Sequence, residues 1–285
     1  MGARGLGRRA RSARVARGAR AWTRDGIPLV DLIPPDGDPD RLLADPACHV
    51  VKDQRKVRVG VLERALSYRG TEPISAVYIK RYNVPSWRMR LMSLVQASPA
   101  ARAWIAAATL TQAGFGVAPA LAAVEYRQRG MLERCFFVTA RVDDAVPADQ
   151  FWWGLRGAST AARRRFAEAL GQLFARLHAA GVYHNDLKDA NLLVRRAADG
   201  TLAFYLLDLE RVRRPYVLSM RRRVKNLAQL HRTLGRLAST RANLYFLREY
   251  LGAEAGDPAR RRRWRRRVCR AARWKDLRHA VRGVS

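Results

Sequence analysis

Between Asn191 and Asp208 the chain reads NLLVRRAADGTLAFYLLD, two apolar runs on either side of Asp199-Gly200. Short apolar runs flanking such a dipeptide specify an antiparallel hairpin. With Asp199-Gly200 as a two-residue turn, the register is expected to place Asn191 opposite Asp208, both side chains on one face. An amide oxygen and a carboxylate so paired make a hard-oxygen site suited to Mg2+, with positions left for phosphate oxygens. The preceding stretch, GVYHNDLKDA, crowds His184, Asp186 and Lys188 between an apolar helix end and an apolar strand. Unpaired charge is costly to bury in such a place, so these groups need partners or a task. Asp186 precedes Asn191 by five residues and can reach the mouth of the oxygen site without ligating, as a base orienting an attacking hydroxyl must. Lys188 is placed to steady a transferring phosphoryl group. His184 is expected to brace the metal-binding strand through a hydrogen bond, since Mg2+ prefers oxygen. Any one of these residues alone reads as part of a polar loop capping a hairpin; the chemistry lies in the set H-x-D-x-x-x-x-N followed by an apolar strand and L-D.

The rest of the chain supplies two lobes around this segment, and its 285 residues are enough for both. Residues 1–40 read as a flexible basic arm ending in the linker IPPDGDPD. Residues 41–142 carry the strand-like runs KVRVGVL, ISAVYIKRY, AAVEYRQ and RCFFVTARV. They also carry one helix, SPAARAWIAAATLTQAG, capped by Ser98, with Pro99 in its first turn and Gly114 after its end. Residues 143–258 are helix-rich, with ADQFWWGL and STAARRRFAEALGQLFARLHAAG ahead of the polar loop. Residues 259–285 form a basic helix or tail that includes Trp264 and Trp274, either solvated or in contact with a membrane surface or glycolipid phosphates. The expected fold class is α+β, a small β-rich N-lobe followed by a helical C-lobe.

Charge narrows the partners. Lys and Arg total 55 against 24 Asp and Glu, a formal charge of +31. Such an excess implies an anionic partner: a phospholipid surface, a polyphosphorylated substrate or nucleic acid. Nucleic acid is disfavoured, because there is charge without a recognition module. Only six of the cations are lysines and 49 are arginines, so the lysines are better candidates than usual for positions needing a compact ammonium. Cys48, Cys135 and Cys269 are widely spaced and form no CxxC pair, so neither a zinc site nor a disulfide framework is expected and a reducing cytosol suits them. The basic N-terminus lacks the apolar run of a secretory signal, and no stretch approaches the roughly 20 apolar residues of a membrane span.

HNDLKDANLL resembles the catalytic loop of the protein-kinase-like superfamily, H-R-D-L-x-x-x-N, and LLDLER stands where D-F-G would be. The resemblance implies that Asp186 is the catalytic base and that Asn191 and Asp208 are metal ligands. VYIK resembles the V-A-I-K strand and makes Lys80 the residue that grips the α- and β-phosphates of ATP. A narrower likeness runs from about Lys52 to Leu237. VYIKRY, Arg102-Ala103-Trp104, GVYHNDL, LLDLERVR and VKNLAQLHRTL together are similar to the bacterial lipopolysaccharide kinase family, which phosphorylates Kdo or heptose sugars of the inner core. That likeness implies a two-lobed protein-kinase-like fold, ATP and Mg2+ as cofactors, and a lipopolysaccharide core or lipid A precursor as acceptor. It also implies a peripheral position on the anionic, cytoplasmic face of the inner membrane.

The chain departs from those patterns in three places. No G-x-G-x-x-G precedes Lys80, so the phosphate-covering loop is expected somewhere in residues 60–71. Asn185 replaces the arginine that pairs with a phosphorylated activation loop, which implies no such switch. Ala103 replaces the glutamate of the family's R-E-W, and no Asp or Glu occurs between Glu72 and Glu125, so the helix has no carboxylate to orient Lys80. Two other readings therefore stay open: another small-molecule or protein kinase of the same fold, and a non-catalytic basic pseudokinase that binds anionic lipid or nucleic acid.

Overall fold

The structure, a computed structural model, describes residues 10–14, 19–24, 38–67, 73–215 and 217–282. The chain divides into two compact units, one of residues 1–112 and 117–143, the other of residues 113–116 and 144–285.

Antiparallel strands build the first unit: β1 (Ala10–Arg14), β2 (Ala19–Arg24), β3 (Cys48–Gln54), β4 (Val57–Leu62) and β5 (Val77–Asn83). After the two-residue strand β6 (Gly116–Val117) come β7 (Ala120–Gln128) and β8 (Met131–Ala140), and the seven-stranded sheet runs β1-β2-β7-β8-β5-β4-β3. Alternation sets its faces. Val77 and Ile79 of β5 are buried with Val124, Phe136 and Val138 in one apolar cluster, while Tyr78 and Lys80 point the other way. Among the described residues three helices accompany the sheet: α1 (Asp40–Leu43), α2 (Trp87–Met92) and α3 (Pro99–Gln112). As expected, Ser98 caps α3, its Oγ accepting from the Ala101 N–H at 3.0 Å. The helix packs on β7 and β8.

Part of the basic arm is not an appendage. Residues 10–14 and 19–24 form a hairpin, and β2 pairs with β7 over five residues from Ala19↔Tyr126 to Thr23↔Ala122. Ala19 and Ala21 face inward, fully buried, with Arg20 exposed between them. The alternation is made by alanine, too small to stand out beside the arginines. β3 exposes nearly all its side chains and so carries no apolar period in the sequence. Its turn to β4 is at Arg55-Lys56, and β4 in turn pairs with the Lys80 strand. Val61 and Leu62, within the stretch where a phosphate-covering loop was expected, are instead buried strand residues; positions 68–71 lie outside the described residues. Of the IPPDGDPD linker, Asp38 and Asp40 are described, and they hold Arg134 and Arg81 in ion pairs at 2.7 and 2.9 Å.

The second unit is mostly helical: α4 (Ala148–Gly154), α5 (Thr160–Ala179), α6 (Met220–Leu230), α7 (Thr240–Leu251) and α8 (Pro258–Arg282). Its strands are short: β9 (Ala145–Pro147), β10 (Tyr183–His184), β11 (Leu192–Arg196), β12 (Leu202–Leu206) and β13 (Val212–Arg213). Helices α5 and α7 cross closely at Gly171, where a Cβ would meet the Phe246 carbonyl oxygen at 2.5 Å. The basic tail is a docked helix. Trp264 is buried edge-on against Tyr250, ring centroids 5.3 Å apart, and Asp276 accepts from Arg232 at 2.6 Å and pairs with Arg236.

Candidate active site

The hairpin forms, but not in the expected register. β11 and β12 pair from Leu192↔Leu206 to Arg196↔Leu202, so five residues, 197–201, make the connection in place of two. Asp199 explains the longer loop: its carboxylate accepts from the Thr201 N–H at 2.9 Å and from the Thr201 hydroxyl at 2.7 Å. Gly200 follows at φ +82°, and Ala197 N–H closes the loop on Thr201 O at 2.9 Å. The ladder therefore shifts by one residue. Asn191 lies across from Leu207, whose N–H donates to Asn191 O at 3.0 Å, and Asp208 comes one position later. At Asp208 the backbone turns left-handed, φ +53°, and leads into a short 3₁₀ turn at Leu209–Arg211. Asn191 and Asp208 remain neighbours in spite of the shift.

The loop ahead of Asn191 is held from several sides. His184 is buried; its Nε2–H donates to Leu207 O at 2.8 Å and its Nδ1 accepts from the Asp186 N–H at 3.2 Å. Burial holds its pKa below the usual imidazole range, so the ring is neutral, with the proton on Nε2 as both bonds require. This single ring ties the backbone of Asp186 to the strand end that delivers Asp208. Asn191 Nδ2 donates to Asp186 O at 2.8 Å, which spends the NH2 group on the loop and leaves the amide oxygen as the available donor. Asp186 keeps about a third of its side chain in solvent, and Lys188 Nζ stands 3.6 Å from its carboxylate.

Helix α6 completes the clamp, a role the sequence did not reveal. Asn226, 1 % exposed, donates to His184 O and accepts from the His184 N–H at 3.3 Å. Lys225 Nζ donates to Asn185 Oδ1 at 2.8 Å, and Gln229 Nε2 donates to Asn185 O at 3.0 Å. The K-N-L-A-x-L-x-R segment thus brings Lys225, Asn226 and Gln229 of α6 onto the loop that carries Asp186, and ends in Arg232, which pairs with Asp276 of α8. Only a partner some forty residues away gives Asn226 its meaning.

Asp186, Lys188, Asn191 and Asp208 all belong to the second unit, and Lys80 to the first. The Lys80 ammonium lies 5.1 Å from the ring centroid of Tyr82, two residues along β5. Ala103 on α3 is fully buried, and Glu125, the first acid after Glu72, is buried on β7 with Arg127 Nε donating to its carboxylate at 3.1 Å. The oxygen donors of Asn191 and Asp208 fit a hard cation such as Mg2+, the amide of Asn191 being oriented by its bond to Asp186.

The model of the Lipopolysaccharide kinase (Kdo/WaaP) family matches residues 74–250. Among solved structures, WaaP in complex with acyl carrier protein is similar, with a TM-score of 0.58 and 22% identity, over 87% of this chain and 99% of that one. It shares the fold, an α+β kinase-like architecture with a β-sheet N-terminal region and a helical C-terminal part. No curated protein sequence matches.

Proposed function

The chain belongs to the lipopolysaccharide kinase (Kdo/WaaP) family, and from that premise we propose that it transfers the γ-phosphoryl group of ATP to a hydroxyl of a Kdo or heptose sugar in the lipopolysaccharide inner core. The observation that carries this reading is the clamped loop: Asp186 is fixed by His184, Asn191 and α6 while its carboxylate stays accessible.

In this reading Asp186 accepts the proton of the acceptor hydroxyl. Lys188, beside it, meets the negative charge of the transferring group. Asn191 Oδ1 and the Asp208 carboxylate would hold Mg2+, which when bound offsets the charge of the β- and γ-phosphates. Lys80 pairs with the α- and β-phosphates. A lipid-linked acceptor brings the enzyme to the anionic cytoplasmic face of the inner membrane as a peripheral protein; no helix among the described residues is long and apolar enough to cross a membrane.

Two substitutions separate these roles. Asp186→Asn is expected to spare nucleotide affinity and lower turnover by about 10²–10⁴-fold, the range of general-base catalysis. Asp208→Asn is expected to abolish Mg-dependent nucleotide binding. Nucleotide titrations and phosphoryl-transfer assays on both variants test the assignment, and near-normal turnover by Asp186→Asn would remove the base from it. A second reading, a basic pseudokinase, draws on Ala103, which leaves α3 without an acid. It expects no transfer to any core sugar, and ATP binding by Lys80→Ala equal to that of the wild type.

A further inference from the structure

Helix α8 begins at Pro258, beyond the family-matched segment that ends at residue 250, yet it walls the groove that holds Asp186. The groove encloses about 950 Å³. Across from Asp186, α8 lines it with Arg267, Arg270, Trp274, Lys275 and Arg278. Positions 267, 270, 274 and 278 recur every three or four residues and so share one stripe of the helix.

The rest of α8 holds that stripe in place. Trp264 and Ala272 are buried, Asp276 is paired with Arg232 and Arg236, and α8 packs along α6. The cationic side chains are thus offered from a docked helix, which lowers the ordering cost of binding. Among its described lining residues the groove has seven cations and a single acid, Asp186. Lys275 sits deep enough that burial, with Arg232 close by, depresses its pKa. Charge of one sign, concentrated in a cleft, focuses the field on an incoming anion. Trp274 is 64 % exposed in the midst of these cations and offers a flat apolar face among them. An indole face so placed suits the C–H face of a sugar ring.

We propose that this groove is the acceptor site and α8 its recognition element: a saccharide with several anionic substituents lays one ring on Trp274, pairs its phosphates or carboxylates with Arg267, Arg270 and Arg278, and presents a hydroxyl to Asp186. The inference rests on the kinase reading above and adds to it the residues that choose the acceptor. These residues lie outside the family-matched segment, so the catalytic loop and the acceptor specificity are carried by separate parts of the chain.

The test uses the full-length protein, radiolabelled ATP and deep-rough lipopolysaccharide in neutral detergent micelles. Arg270→Gln, Arg278→Gln and Trp274→Ala are each expected to raise the acceptor KM by about tenfold or more, the loss of one charge-assisted or stacking contact, with the KM for ATP unchanged. Arg262→Gln and Arg263→Gln, on the same helix but outside the groove lining, are expected to leave the acceptor KM unchanged. Binding of the same lipopolysaccharide to the Asp186→Asn chain gives a readout independent of turnover. Dephosphorylation of the lipopolysaccharide with hydrogen fluoride weakens binding if phosphate is the anion, and carboxyl reduction weakens it if carboxylate is; affinity that survives both treatments overturns the proposal. Transfer by the wild type with unchanged acceptor KM in all three groove variants overturns it too, and leaves the kinase reading standing. No transfer by the wild type, with binding that still depends on Arg270 and Trp274, overturns the kinase reading and keeps the saccharide groove.

Discussion

Asn226 gathers more of the candidate site than the residues proposed for its chemistry. One amide side chain satisfies both the N–H and the C=O of His184 and lies 3.4 Å from the Nε2 of His178, all in a buried setting. Its replacement by leucine, similar in volume but without polar atoms, strands those backbone groups. Asn226→Leu is expected to lower stability by about 2–4 kcal/mol and to reduce turnover more than nucleotide affinity, since the loop and not the phosphate site loses its support. Urea unfolding and steady-state kinetics on the purified variant check both parts. His178 carries a second expectation. Its ring is buried, with Nδ1 2.9 Å from the Tyr250 hydroxyl, and burial lowers its pKa to about 4. The unfolded chain, with an ordinary imidazole, binds the proton first as pH falls, so this residue's contribution is complete above about pH 6.5 and is lost between there and pH 4. The loss is on the order of 3 kcal/mol, and it should be smaller in His178→Leu when unfolding is compared at pH 7 and pH 4.5. The residues proposed for the chemistry stand out in the sequence because their spacing in one short segment is itself the pattern. Asn226 and Gln229 were not, because what defines them is a loop met only after folding.

The elements that escaped the sequence reading are those whose apolar signal is diluted. β2 buries alanines and β3 buries almost nothing; α8 is expected as a basic helix, but its docking is not, because its anchors, Trp264 and Ala272, are outnumbered by arginines. The strands and helices of the core, from KVRVGVL to the helix before the Asp186 loop, stand where their periodicity puts them. The hairpin was found, but its register was set by side-chain chemistry inside the loop, where Asp199 caps Thr201 and lengthens the turn. These elements change what truncation does. Read as a free arm, residues 1–24 could be removed without effect; as the edge of the sheet they cannot. Their deletion uncovers the β7 edge and the pockets of Ala19 and Ala21. The truncated chain is expected to melt earlier, by about 2–4 °C for each kcal/mol lost, and to aggregate through the bared strand. Calorimetry and light scattering of the truncated and intact chains give the answer, and identical melting would mean that the hairpin adds nothing to the sheet.

At the scale of the whole molecule the charge dominates. A chain at +31 is attracted to any anionic surface, and exposed charges are screened beyond about 8 Å at physiological ionic strength. Binding to vesicles containing anionic phospholipid is expected to fall steeply as salt rises, while neutral vesicles bind weakly at every salt concentration. Co-sedimentation across a salt series measures it, and equal binding to both vesicle types would detach the charge from any membrane role. The order of a strand-rich part followed by a helix-rich part was legible from end to end, because each part repeats its own period many times. The use of the excess charge was not, since composition counts arginines without saying which face of which helix they share. Lysine is the opposite case. Of only six in the chain, Lys188 stands 3.6 Å from the Asp186 carboxylate, Lys225 donates to Asn185, and Lys275 lines the same groove with its amine pKa depressed. An amine-selective acylating reagent, blind to the 49 guanidinium groups, would therefore place half of its lysine marks around one cleft. The mass spectrum of the labelled protein, with and without a bound molecule, becomes a footprint of that cleft read from three peptides, with no probe engineered in.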